Sequence, residues 1–112
     1  MESIAKQISN QLGFPCIKTN HTDNGINYRF DIELFNTKCF DADKLSEWEN
    51  SIDEIDVLED NYGIYCFHKS NHTIINLWIS NDINNDYVNF IIYDFKSLLN
   101  RLQVTYNNII KT

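Results

Sequence analysis

Cys66, His68 and His72 are the residues whose types could hold a metal or make a nucleophile. A zinc site needs three or four convergent ligands. Cys66 and His68 stand two apart on one expected strand. His72 is four beyond His68, across an expected hairpin turn rather than on a helix face, so the three converge only if the turn folds them together. As a thiol and base, Cys66 and His68 fall short, because an i, i+2 pair on a strand lies about 7 Å apart, beyond hydrogen-bond reach. No serine sits in a glycine-flanked elbow and there is no glycine-rich phosphate loop. Paired carboxylates abound between residues 41 and 60, but a run along an exposed helix gives solvated acids rather than a cleft with shifted pKa values. The expectation is a protein without catalysis, metal or cofactor.

Charge placement says more. The chain has 112 residues and a net charge of −7. Residues 41–60 hold Asp41, Asp43, Glu47, Glu49, Asp53, Glu54, Asp56, Glu59 and Asp60 against Lys44 alone, a net of −8, and the other 92 residues carry +1. A basic footprint of the kind nucleic acid or an anionic membrane requires is missing. The segment suits a cationic partner, or else is a solvated helix kept for solubility. Arg29, Asp31 and Glu33 on the wet side of an expected strand, and Trp78 on the more polar side of another, make a second candidate contact face.

These residues need elements to position them. Residues 3–12 read as a helix, capped by Ser3, with Ile4, Ile8 and Leu12 as its stripe and Gly13 and Pro15 ending it. Residues 16–25 read as polar and turn-like. Across 26–35, Ile26, Tyr28, Phe30, Ile32 and Leu34 alternate with polar residues, which predicts a strand with one buried face. Residues 42–55 read as an acidic helix with Asp41 at its N-cap, Phe40 stapled onto Leu45, and Leu45, Trp48, Ile52 and Ile55 as the buried stripe. Trp48 therefore reads as core. Strands follow at 62–69, 73–80 and 87–93, the first two joined by a tight turn at Ser70-Asn71 or Asn71-His72. A last helix at 95–110 has Asp94 as cap, Tyr93 stapled onto Leu98, and Phe95, Leu98, Leu99, Leu102, Tyr106 and Ile109 inward. The expected fold is one α+β domain over 1–112, in the order α-β-α-β-β-β-α, with a single antiparallel sheet of about four strands and helices packed on one face.

Met1-Glu2-Ser3 opens the chain without a basic or apolar leader, and no apolar run reaches a membrane span. Cys16, Cys39 and Cys66 are odd in number and widely spaced, which predicts free thiols in a reducing compartment. A cytoplasmic location is expected, and the sequons at Asn20 and Asn71 are then incidental.

The stretch Phe30 to Ile109 carries a family resemblance. A strand leads into Phe40-Asp41-Ala42-Asp43-Lys44-Leu45 at the head of an acidic helix. Tyr62-Gly63-Ile64 opens a meander, and Tyr93-Asp94-Phe95 leads into Leu98-Leu99-Asn100-Arg101-Leu102. The arrangement resembles small immunity proteins of bacterial polymorphic toxin systems, of the WapI-associated and contact-dependent growth inhibition kind. The resemblance implies stoichiometric neutralisation of a cognate toxin domain, a basic nuclease whose active site an acidic partner occludes. The partner-binding residues are then expected among Asp43, Glu47, Glu49, Asp53, Glu54, Asp56, Glu59 and Asp60, with Arg29, Asp31, Glu33 and Trp78 as the second face. The alternatives are a phage-type inhibitor whose acids mimic nucleic-acid phosphates, which needs acids on two or more elements, and a small enzyme.

Overall fold

Alternating apolar residues in the middle of the chain build a sheet, and three helices with apolar stripes cover one side of it. The computed structural model describes residues 4–111. Helix α1 spans Ile4–Leu12, strand β1 Cys16–His21 and strand β2 Gly25–Ile32. Helix α2 spans Ala42–Ile52 and runs into a 3-10 turn at Asp53–Ile55. Strands β3 (Val57–Leu58), β4 (Tyr62–Lys69) and β5 (His72–Ser80) follow. A second 3-10 turn at Asn85–Tyr87 leads into α3, Val88–Ile110. The sheet is wholly antiparallel, in the order β1-β2-β5-β4-β3. The fold is thus α+β with one antiparallel sheet, of five strands.

The core lies between the sheet's inner face and the helices. Tyr28, Phe30 and Ile32 of β2, Ile64 and Cys66 of β4, and Ile75, Leu77 and Ile79 of β5 are buried, as are Ile8, Trp48, Ile52, Phe95, Leu98 and Leu102 from the helices. Phe30 meets Phe95 edge to face at 5.4 Å between ring centroids. Trp48 is fully buried, among Phe35 and Tyr106, so its place in the helix stripe holds.

Local chemistry explains the ends. Asp41 caps α2 by accepting the Lys44 N–H at 2.8 Å. Gly13 closes α1 at φ +79°, donating to the Ser9 carbonyl. Ser70 and Asn71, at φ +52° and +66°, form the two-residue turn between β4 and β5, with both central residues left-handed as a type I′ turn demands. The expected cap Ser3 lies outside the described residues.

Four expectations fail. Residues 16–21 form β1 rather than a polar turn, and the turn proper is confined to 22–24. β1 is an edge strand, exposed on both sides except for half-buried Cys16, so its sequence has no apolar alternation to betray it. Backbone pairing with β2 and the Thr22 side chain, bonded to Gly25 at both its N–H and its carbonyl, hold it. Residues 87–93 are not a strand. Val88, Ile91, Ile92 and Phe95 are buried at helical spacing, which continues the stripe of α3 upstream, while Phe90 and Tyr93 are 65% and 72% exposed. Asp94 is therefore inside α3 rather than its cap, and Tyr93 staples nothing. The chain also leaves the sheet after Ile32, which turns Leu34 outward and Phe35 inward.

Candidate functional site

The turn joining β3 to β4 and the start of α3 enclose a cleft of about 720 Å³. Its polar walls are Glu59, Asp60, Asp86 and Asp94, and its aromatic walls are Tyr62, Tyr87 and Phe90. Among the described residues no basic side chain lines it. The Glu59 N–H donates to the Tyr62 carbonyl at 3.0 Å, closing the turn that sends Glu59 and Asp60 outward. The Asn84 side chain accepts the Asp86 N–H at 2.9 Å and starts the 3-10 turn that sets Asp86 and Tyr87 opposite them. Asn61 donates to the Tyr87 hydroxyl at 3.1 Å and ties the two walls together. At the floor the Tyr62 hydroxyl donates to the Asp94 carboxylate. Burial, that hydrogen bond, and the charges of Asp94 and Glu59 push the Tyr62 phenol far up, so it stays a donor throughout the physiological range. Tyr62, Tyr87 and Phe90 form a chain of tilted rings 6.4 to 6.5 Å apart.

Of the expected acids, only Glu59 and Asp60 enter this cleft. Asp43 and Glu47 stand one turn apart on the exposed side of α2, and Asp53 and Glu54 are exposed on the following 3-10 turn. Glu54 shares a shallow surface hollow with Arg101. Glu49 lies on the flank nearer His68, whose proton affinity it raises. Asp56 is half-buried and accepts the Cys66 N–H at 3.0 Å, so part of its role is structural. Sequence reasoning missed Asp86, Asp94, Tyr62, Tyr87 and Phe90. The mistaken strand at 87–93 hid them, because a helix there is what brings Asp94 over Tyr62.

The sheet's outer face is the second region. Among the described residues no helix covers it, and Arg29, Asp31 and Trp78 all stand on it. Glu33 lies just beyond β2, in a separate hollow beside Pro15 and Leu34. Register places Lys18, Arg29, Asn76 and Tyr65 in one row across four strands, with Asn20, Asn27, Trp78 and Gly63 in the next. A bulge at Ile17 gives Lys18 its place in that row. The Arg29 guanidinium lies 5.3 Å above the Phe67 ring, and Asp31 pairs with His72 at 3.0 Å.

His68 donates or accepts at both ring nitrogens, to Thr37 and Thr73, each at 3.3 Å. Burial lowers its pKa, more than the Glu49 charge restores. Burial, helped by the charges of Asp56 and Asp53, pushes the Cys66 thiol up to about 12, so the thiolate a nucleophile or metal ligand requires is not present at neutral pH. Among the described residues no three His, Cys, Asp or Glu side chains come together as a metal site. Cys16, Cys39 and Cys66 are all free thiols. No helix among the described residues is long and apolar enough to cross a membrane. No family model, curated protein or solved structure matches the chain.

Proposed function

We propose that the protein is an immunity protein that neutralises a cognate, basic toxin domain by stoichiometric binding in the cytoplasm. The observation that carries the reading is the cleft of about 720 Å³ with four carboxylates, three aromatic rings and no base in its walls. Such a cleft fits a protruding lysine or arginine, whose cation gains from both the carboxylates and the ring faces. The exposed acids of α2 extend the same sign of potential over the neighbouring surface, which steers a basic partner toward it. The resemblance from Phe30 to Ile109 supports the same role. The phosphate-mimic reading gains from one observation: acids stand on the β3–β4 turn, the second 3-10 turn and α3 as well as on α2.

The test pairs the purified protein with the C-terminal domain encoded by the reading frame directly upstream. Reversing Glu59, Asp60 and Asp86 together to lysine is expected to slow association and abolish protection of cells that express that domain. Reversing Glu47, Glu49, Asp53 and Glu54 is expected to slow association less. Both losses shrink as salt rises, because the Debye length falls to about 3 Å at 1 M. Folded variants that bind as fast as the parent at low salt, and still protect, would remove the acidic surface from the mechanism. Equal inhibition of unrelated DNA-binding enzymes, competitive with their nucleic acid, would favour the phosphate mimic.

A further inference from the structure

We propose that the groove on the outer face of the sheet is a binding site for a free nucleoside monophosphate. Its phosphate lodges at Lys18 and Arg29, its base edge meets Asn27 and Asn76, and its base plane rests on Tyr65. The groove measures about 370 Å³, near the lower end of the roughly 300–1,000 Å³ that small-molecule sites occupy. Among the described residues, Lys18 and Arg29 are the charged side chains in its walls; the rest are amides and aromatic rings, with no carboxylate. Among the described residues neither cation has an ion-pair partner, and the Arg29 Nε has no acceptor. Stacking on Phe67 holds the guanidinium but leaves its charge uncompensated. Asp31, on the same face but outside the groove, meets His72 through Oδ2 and leaves its Oδ1 without a donor.

Two positive charges match one phosphomonoester, which carries about −1.5 to −2 at neutral pH. Next to them the Asn76 amide donates to the Asn27 carbonyl oxygen at 3.0 Å. That bond leaves one donor group and one acceptor free, side by side, and the same holds if both amides are flipped. A donor beside an acceptor is the complement of a nucleobase edge. One strand further, Tyr65 lies over Gly63, where any Cβ would come within 2.9 Å of its hydroxyl. Glycine at that position lets the ring lie down on the sheet, with 37% of the residue still exposed as a stacking surface. At the backbone Arg29 and Tyr65 are two inter-strand steps of about 4.8 Å apart, and the Arg29 side chain crosses part of that span to reach Phe67 on the strand of Tyr65, so cation and ring line the same groove. A groove that tracks a nucleic-acid strand carries cations along its length, and beyond these two this groove has none among the described residues, so the free nucleotide is the better fit.

The test is a titration of the full chain, followed by ¹H–¹⁵N NMR, with uridine or adenosine 5′-monophosphate as probe. Uridine, inorganic phosphate and a uridine pentanucleotide serve as comparators. The expected result is saturable shifts of the Asn27 and Asn76 side-chain amides and the Arg29 Nε–H with a nucleotide, at least about tenfold stronger than with uridine or phosphate alone. Arg29→Gln and Tyr65→Ala are each expected to weaken binding roughly tenfold or more. Asn76→Asp, nearly isosteric, places a repelling charge in the groove and is expected to abolish binding with the backbone spectrum retained. Absence of shifts at about 10 mM nucleotide would overturn the proposal. So would phosphate binding as tightly as the nucleotide, or the pentanucleotide binding more than a hundredfold tighter, which would mark a strand platform instead.

Discussion

The helix-covered side of this molecule and its open sheet face are built from the same kinds of residue, sorted in opposite ways. On the helix side, aromatic and aliphatic groups point inward and carboxylates point out. Trp48 is fully buried there while Asp43, Glu47 and Glu49 around it are exposed. On the sheet face, aromatic, amide and cationic groups share one layer, in which Trp78 stands opposite Asn27, Arg29 opposite Asn76, and the Arg29 guanidinium crosses to the Phe67 ring. The helix side therefore separates stability from recognition: its stripe folds the protein and its acids are free to vary. The sheet face does not separate them, because each side chain there both covers backbone and presents chemistry.

The two tryptophans put that contrast to its largest test. Trp48→Ala removes a fully buried indole from between Phe35 and Tyr106 and is expected to cost about 3–5 kcal/mol in denaturant unfolding. Trp78→Ala is expected to cost about 1 kcal/mol. Equal losses would mean that the outer face is as much a part of the core as the inner one.

Tyr62→Phe tests the cleft, where the helix side does mix the two roles. The change removes one hydroxyl and leaves the Asp94 carboxylate without its donor. A loss of about 1–2 kcal/mol is expected, with Asp94 freed to serve an incoming cation. Unchanged stability would show that the bond does not help to hold the fold.

How far these regions can be read from sequence follows from what kind of burial orders each element. β2, β5 and α2 announce themselves, because one buried face imposes period two on Tyr28-Phe30-Ile32 and Ile75-Leu77-Ile79, and period 3.6 on Trp48-Ile52-Ile55. β1 does not, because an edge strand exposed on both sides is ordered by backbone pairing, which leaves no trace in side-chain pattern. Residues 87–93 mislead for another reason: β-branched and aromatic residues favour a strand locally, and the burial of Ile91 and Ile92 beneath the rest of α3 overrides that preference. The acidic segment is legible as charge but not as a cleft, since the 3-10 turn at Asn85–Tyr87 and the first turns of α3 are what bring Asp86 and Asp94 to Glu59 and Asp60. The groove was half legible. Arg29 and Trp78 stood out on wet strand faces, but Lys18 and Asn20 belonged to the unrecognised β1.

The smallest effect concerns Asp56, the one acid of the 41–60 run that faces partly inward. Burial raises its pKa above the usual carboxylate value, by more than the hydrogen bond from the Cys66 N–H lowers it, and the Asp53 charge adds to the rise. A carboxyl whose folded pKa exceeds its unfolded one binds its proton more tightly in the native state. Its favourable contribution is complete below the unfolded value of 3.8 and is lost as pH rises through the folded value, so at pH 7 the ionised group is a net cost. Asp56→Asn keeps an acceptor for Cys66 and removes the charge. The variant is expected to be more stable than the parent at pH 7 by about 0.5 kcal/mol, the half-exposed position limiting the gain. The advantage should fade as pH falls toward 3, where Asp56 is neutral in both states. Paired urea titrations at pH 7 and pH 3 measure it. A variant less stable by more than about 1 kcal/mol at pH 7 would show that the ionised carboxylate's bond to Cys66 outweighs its burial. Asp56 would then belong with the groups that fold the helix side rather than with those that its surface leaves free.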